Sequence, residues 1–410
     1  MKFTKPEKSW IMYDVANSAF SMIISTTVPI YFALLAAKGG VDTNVVSGSW
    51  GTATSISVLI LAAMSPFLGA IADYKNMKKK MLLISLLIGI IGIVVFTLTE
   101  NWLVFAAVFI VARLAYSAAN VFYDSMLTDV TTDERMDQLS ANGFAWGYIG
   151  SCIPFIIGVV FIALMPGSIT EEVAYKFSFL ITAVWWGLMS IPLLKNVEHI
   201  HYVENRHDKI HDVFKRLKIT FGKIKQNKQM LYFIIGYFCY IDGVYTIISM
   251  ATIYGAEVGI DTLQLIGALL FTQFVAFPFA ILAGKLAKKF GALKMIKVYI
   301  CIYMFTCIFG FQLDKAWEFW VLAFLVGMAQ GGIQSLSRSY FAKIIPKDES
   351  NEYFGFFDIF GKFADFFGPL LLSASAFIMG TSKYGILSLI LLFVIGLVLI
   401  IKVDKIDTTE

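Results

Sequence analysis

Twelve stretches of about twenty apolar or neutral residues punctuate this chain, at roughly 10–36, 48–72, 81–99, 102–126, 140–164, 176–194, 229–254, 262–284, 295–312, 317–338, 354–379 and 383–402. A helix of about 20 residues, rising about 1.5 Å per residue, crosses a ~30 Å hydrocarbon core. Inside that core every backbone N–H and C=O has to be satisfied by the segment itself, so this pattern predicts an all-α integral membrane protein. Composition excludes the alternative of a soluble globule: 58% of the residues are hydrophobic and only 15% charged, against about a quarter charged in soluble domains.

Lysine and arginine set the expected orientation. One side of the predicted bundle holds only Lys38, Lys176, Lys315 and Lys383, and Arg113 and Lys362 fall inside spans. The rest of the 33 basic residues lie in the N-terminal segment, the even-numbered loops and the C-terminal tail. Both termini are therefore expected in the cytoplasm, with the protein in the cell (plasma or inner) membrane. The net charge of +4 reflects this asymmetry and not an affinity for nucleic acid. The first apolar run is too long for a signal peptide and lacks a small-residue cleavage site, so it reads as a retained span. Cys152, Cys239, Cys301 and Cys307 all fall within spans, without metal or redox spacing, and read as small packing hydrophobes.

Residues 195–228 interrupt the apolar pattern with basic residues and all four histidines, His199, His201, His207 and His211. The chain thus divides into a six-span half (1–194), a cytoplasmic connector (195–228) and a second six-span half (229–410). Ile210, Phe214, Leu217, Phe221 and Ile224 recur at three- and four-residue spacing between lysines, predicting an amphipathic helix at the membrane surface. His207 and His211, one turn apart, are either a metal-binding pair or solvated residues of its polar face. The halves resemble each other weakly. A shift of 215 aligns Asp133-Glu134 with Asp348-Glu349, Pro154 with Pro369 and Gly69 with Gly284; a shift of 225 aligns Asn17 with Asp242. Parallel repeats of this kind imply a central cleft.

The loop after the second span reads GAIADYKNMKKK, Gly69 to Lys80. It resembles the hallmark loop of the major facilitator superfamily: a Gly, three residues, an Asp, then a basic cluster. Gly69, Asp73, Lys78 and Lys79 fit, while Tyr74 and Asn76 replace the usual basic residue and Gly. A Gly permits close helix approach, and an Asp beside a helix N-terminus is favoured by exposed N–H groups and the dipole. The resemblance implies a gating and structural role, the Asp latching onto span 11 in the outward-facing state. After span 8, GKLAKKFGALK (Gly284 to Lys294) keeps the Gly but places Lys288 where an Asp is expected. Three further stretches, Tyr13–Phe20, Tyr240–Gly255 and Ser337–Leu370, are similar to the vacuole-effluxer branch of that superfamily, whose eukaryotic members are autophagy-related amino-acid exporters. The resemblance implies twelve transmembrane helices in two six-helix bundles around a central cavity lined by spans 1, 4, 7 and 10.

The intramembrane polar residues are few. Asp14 and Asn17 lie three apart on one face of span 1; Asp242, followed by Tyr245, sits near the middle of span 7. Arg113 and Asn120 lie on span 4, Gln330 and Gln334 on span 10. A carboxylate in hydrocarbon costs roughly 2.5–3.5 kcal/mol even on the lenient insertion scale, so it persists where it faces a cavity or a partner. All eight are candidates for substrate binding or coupling; Arg113 is alternatively a counter-ion joining helices, and Asp14 alternatively an interfacial or capping acid. Asp358 and Lys362 in span 11, spaced i, i+4, form a candidate gating or structural pair.

No Gly-x-x-x-x-Gly-Lys-Ser/Thr loop is present, which removes ATP as an internal power source. No histidine lies in a span, so a proton carrier has to be a carboxylate, Asp242 first and Asp14 second. The reading is a secondary active transporter, not an enzyme: it moves a small polar or zwitterionic solute, best an amino acid, by alternating access, with H+ as coupling ion, no cofactor and a monomer in the lipid bilayer. Efflux of amphipathic cations or drugs is the alternative within transport, and a non-transporting membrane sensor or scaffold the alternative outside it.

Overall fold

The computed structural model describes residues 2–164, 170–204, 210–381 and 383–407. Among these residues lie fifteen helices and no β-strand: α1 Lys5–Ser25, α2 Thr27–Lys38, α3 Thr43–Ala72, α4 Met77–Phe96, α5 Trp102–Ser125, α6 Leu127–Val130, α7 Asp133–Leu164, α8 Glu171–Asn196, α9 Ile210–Gln226, α10 Lys228–Glu257, α11 Thr262–Phe290, α12 Ala292–Phe311, α13 Ala316–Ile344, α14 Ser350–Met379 and α15 Lys383–Asp407. Eleven segments among the described residues are long and apolar enough to cross a membrane. The remaining expected span corresponds to α14, helical through 30 residues, whose first half carries Glu352, Asp358 and Lys362.

Local chemistry sets the helix ends. Thr4 opens α1 through a capping box, its hydroxyl accepting from the Glu7 N–H at 3.3 Å while the Glu7 carboxylate accepts from the Thr4 N–H at 2.7 Å. Asn101 and Asn227 cap α5 and α10 in the same sense, accepting from the N–H groups of Leu103 and Met230. The first span, expected as one stretch, is two helices broken at Thr26, which takes φ −127° and ψ −75°. Pro29 falls in the first turn of α2, where its missing N–H leaves no intrahelical bond unmade.

By internal packing the chain divides into two compact units. One comprises Met1–Val130, Trp146–His207 and Asp348–Gly355; the other comprises Thr131–Ala145, Asp208–Lys347 and Phe356–Glu410. In the first, α1 packs on α8, α4 on α5 and α8, and α3 on α5. Their shared core is aromatic, with Phe20, Tyr31, Phe32, Phe96, Phe105, Phe109, Phe179 and Trp186 buried together. In the second, α11 packs on α13, α10 on α15, and α12 on both α13 and α15. Tyr237 and Phe341 stack on the two sides of Phe357 at 4.0 and 4.3 Å between ring centres.

In the connector a helix occupies Ile210–Gln226, with Val213, Leu217, Thr220 and Ile224 buried and Phe214 and Phe221 exposed. Leu217 and Ile224 belong to both the buried stripe and the apolar face expected at the membrane surface. His207 lies outside the described residues.

Candidate functional site

In the first unit, α1 carries Asp14 and Asn17, both 6% exposed. Asn17 donates from its amide to the Asn120 carbonyl oxygen on α5 at 2.8 Å, joining two residues 103 positions apart in sequence. Beside them, Trp10 and Tyr13 each lie 4.6 Å from the Tyr123 ring, and the Trp10 indole N–H donates to the Tyr123 carbonyl at 3.1 Å. The Arg113 guanidinium lies 5.9 Å from the Phe109 ring centre, one turn along α5. A polar α1–α5 seam walled by aromatics thus replaces what the sequence shows as scattered residues.

In the second unit, Asp242 on α10 is 1% exposed, and its Oδ1 accepts from the backbone N–H of Gly368 on α14 at 3.0 Å. Gly368 stands immediately before Pro369, which has no amide to donate. A Cβ at 368 would fall on the Thr246 hydroxyl, with Thr246 Cβ at 2.7 Å, so only glycine lets α14 come this close to α10. Tyr240, two residues before Asp242, shares a 2.6 Å hydrogen bond with Ser337 of α13. Gln330 is buried and Gln334, one turn on, is half-buried; Tyr245 is also half-buried.

The loop between α3 and α4 shows why its glycine and aspartate are four apart. Gly69 sits against the backbone of α14, where a Cβ would clash with the Asn351 carbonyl and come within 3.0 Å of Glu352 Cα. Gly355 answers from the other side: its Cβ would meet Pro66 Cα at 2.9 Å. One turn after Gly69, fully buried Asp73 reaches the first turn of α14. Its Oδ1 accepts from the Asn351 backbone and side-chain N–H groups, both at 2.8 Å, and its Oδ2 from the Glu352 N–H at 3.1 Å. A carboxylate here satisfies orphan donors and faces the positive end of the helix dipole. Asn76, where the superfamily pattern has Gly, takes φ +63°, a left-handed conformation that Asn tolerates.

The basic residues of this loop are placed unequally. Lys78 is fully buried, donating to Asp129 on α6 at 2.7 Å and to Ser350 at 3.2 Å. Lys79 donates to the Val197 carbonyl at 3.0 Å. Asp129 also accepts from the backbone N–H groups of Ile200 and His201, at 3.1 and 2.8 Å. The connector is tied to the loop a second time, Val203 donating to the Asp73 carbonyl at 2.9 Å and accepting from Lys75 at 3.3 Å. Burial beside Lys78 pushes the His199 imidazole down to about 4, and neither of its ring nitrogens has a partner.

Sequence reading did not single out Ser125, Asp129, Ser350, Asn351, Thr246 or Gly368. Ser125 in fact donates to the Asn351 side chain. The available signals were slight: a Ser-Asn-Glu run opening a helix, and a Gly before a Pro. In the second half, where Lys288 replaces the expected Asp, Gly284 still packs closely, on Gln138 and Ala141 of α7. The acid there is on α7 itself: Asp137 accepts from Ser339 at 2.7 Å and pairs with Lys343 at 2.7 Å.

This helical architecture is that of a membrane transporter with the major facilitator fold. It is similar to the crystal structure of the human organic anion transporter MFSD10, with a TM-score of 0.74 over 97% of this chain and 99% of that one, at 13% identity. The family model described as "Vacuole effluxer Atg22 like" matches residues 4–408, and the chain belongs to that family. It is 44% identical to the MFS-type transporter YxiO of Bacillus subtilis, over all of this chain and 97% of that protein. Autophagy-related protein 22 of Coccidioides immitis is 23% identical over 89% of this chain and 74% of its own length.

Proposed function

We propose that this multi-pass transporter moves a small polar or zwitterionic solute, an amino acid as first choice, by alternating access coupled to protons, with Asp242 as the proton carrier. The observation that carries the reading is the buried Asp242 carboxylate holding the Gly368 N–H of another helix at 3.0 Å. An ionised carboxylate is a strong acceptor for that amide, and a protonated one a weaker acceptor, so proton binding changes how firmly α10 holds α14. The description of the family as effluxers favours export, and the lysine distribution favours cytoplasmic termini. On the binding side, Asp14 and Arg113 supply the acid and base that a zwitterion requires.

Reconstitution in proteoliposomes tests this. Asp242→Asn is expected to abolish transport driven by a pH gradient while solute counterflow persists. Full pH-driven transport by that variant sinks the proposal. Screening the wild-type protein for thermal shifts against amino acids, sugars, nucleosides and cationic drugs supplies the solute for the assay.

A further inference from the structure

The second unit holds a partly open pocket with a cavity volume of about 110 Å³ among α10, α11, α12, α13, α14 and α15. None of the described side chains lining it is charged, so an ionic occupant loses its hydration without compensation. Its walls are mainly aliphatic and aromatic, Leu265, Val326 and Leu389 among them. The polar lining includes the half-buried Gln273 and, beyond it, two groups. Thr272 and Thr306 donate to the carbonyls one turn back in their own helices, and Tyr254 donates to the Gly310 carbonyl. Thr246 and Gln330, fully buried and 3% exposed respectively, do not: the Thr246 hydroxyl and the Gln330 amide nitrogen have no hydrogen-bond partner.

Leaving such groups unsatisfied in a buried place is costly, and a threonine in a helix has an intrahelical acceptor within reach. Two neighbours of the same type in the same cavity use that acceptor and Thr246 does not. We propose that this cavity is a binding site for a compact, uncharged, mainly apolar molecule carrying one hydrogen-bonding oxygen, which the Gln330 amide recognises. A cavity of ~150 Å³ holds benzene, so this one takes a molecule of about five non-hydrogen atoms, a short branched alcohol being the model compound. The site lies within one helix bundle, uses neither Asp242 nor Asp14, and stands whether or not transport is proton-coupled.

The test compares wild-type protein with Cys307→Phe, which fills the cavity from α12, in the same detergent and in an equilibrium unfolding titration. Val326→Phe fills it from α13 and replaces the first variant if that one does not fold. Isobutanol, isobutyrate and isopentane are the probes. Differences between the two proteins remove solvent effects common to both. Wild type alone is expected to gain about tenfold in its folding constant at isobutanol concentrations ten times the dissociation constant, with no such gain from isobutyrate. Gln330→Leu is expected to lower the preference for isobutanol over isopentane by about three- to tenfold. Equal responses of the wild-type and filled proteins to isobutanol overturn the site, and an equal gain from isobutyrate overturns the assigned chemistry.

Discussion

Asp73 receives both the backbone and the side-chain N–H of Asn351 on a single carboxylate oxygen, each at 2.8 Å. The same aspartate gives its backbone carbonyl to Val203 at 2.9 Å, so one residue fastens the loop to α14 and to the connector. Asp73→Ala leaves the first turn of α14 without its acceptor and is expected to lower stability by about 2–3 kcal/mol, read by chemical unfolding in detergent. Gly69→Ala should be at least as damaging, because its methyl group lands on backbone and not on a movable side chain.

Lys78 and Asp129 form a fully buried ion pair at 2.7 Å. Removing one partner strands a charge, so Lys78→Met is expected to destabilise by about 3–5 kcal/mol. The double variant Lys78→Met/Asp129→Leu is expected to lie well short of the sum of the single changes. A double-mutant cycle reads the coupling, and simple additivity contradicts the pairing.

Gly368 and Thr246 make a suppressor pair. Gly368→Ala is expected to cost about 1–3 kcal/mol through overpacking and to perturb the Asp242 contact. Adding Thr246→Gly should recover much of the loss, whereas Thr246→Ala, which keeps a Cβ at 2.7 Å from the new methyl, should recover less. Flux and unfolding midpoints of the three variants and the wild type decide the order.

His199 predicts a pH response of the connector. Its folded value of about 4 lies below the free value of about 6.5, so the folded form binds fewer protons than the unfolded one between those limits. The docked segment around 197–204 should hold fully above pH 6.5 and weaken as pH falls toward 4. Lys78, Asp129 and His201 face this ring. Hydrogen exchange of the segment at pH 7 and pH 5 measures the change, and His199→Gln is expected to flatten it.

The spans were legible because hydrocarbon demands long apolar helices, and a length rule needs no partner to be known. The Gly69–Asp73 spacing was legible too, since it is set within one turn of a single helix end. Asp129 was not: an acid at a helix end looks interfacial until Lys78, 51 residues away, is placed beside it. Which residues of α9 pack inside the protein was not legible, because Phe214 and Val213 are equally apolar and only the neighbouring helix determines which is covered. Gly368 was not legible either, because nothing nearby in sequence points to Thr246, 122 positions away on α10.

The convergence of three donors on the two oxygens of Asp73 has a kinetic meaning. None of those bonds can lengthen far without disturbing the others, and Gly69 and Gly355 keep the two backbones too close for gradual sliding. Such a fastening is expected to let go in one step over one barrier. Its strength is therefore to be read in the temperature dependence of a rate, where small changes at positions 69, 73 or 351 act as multipliers.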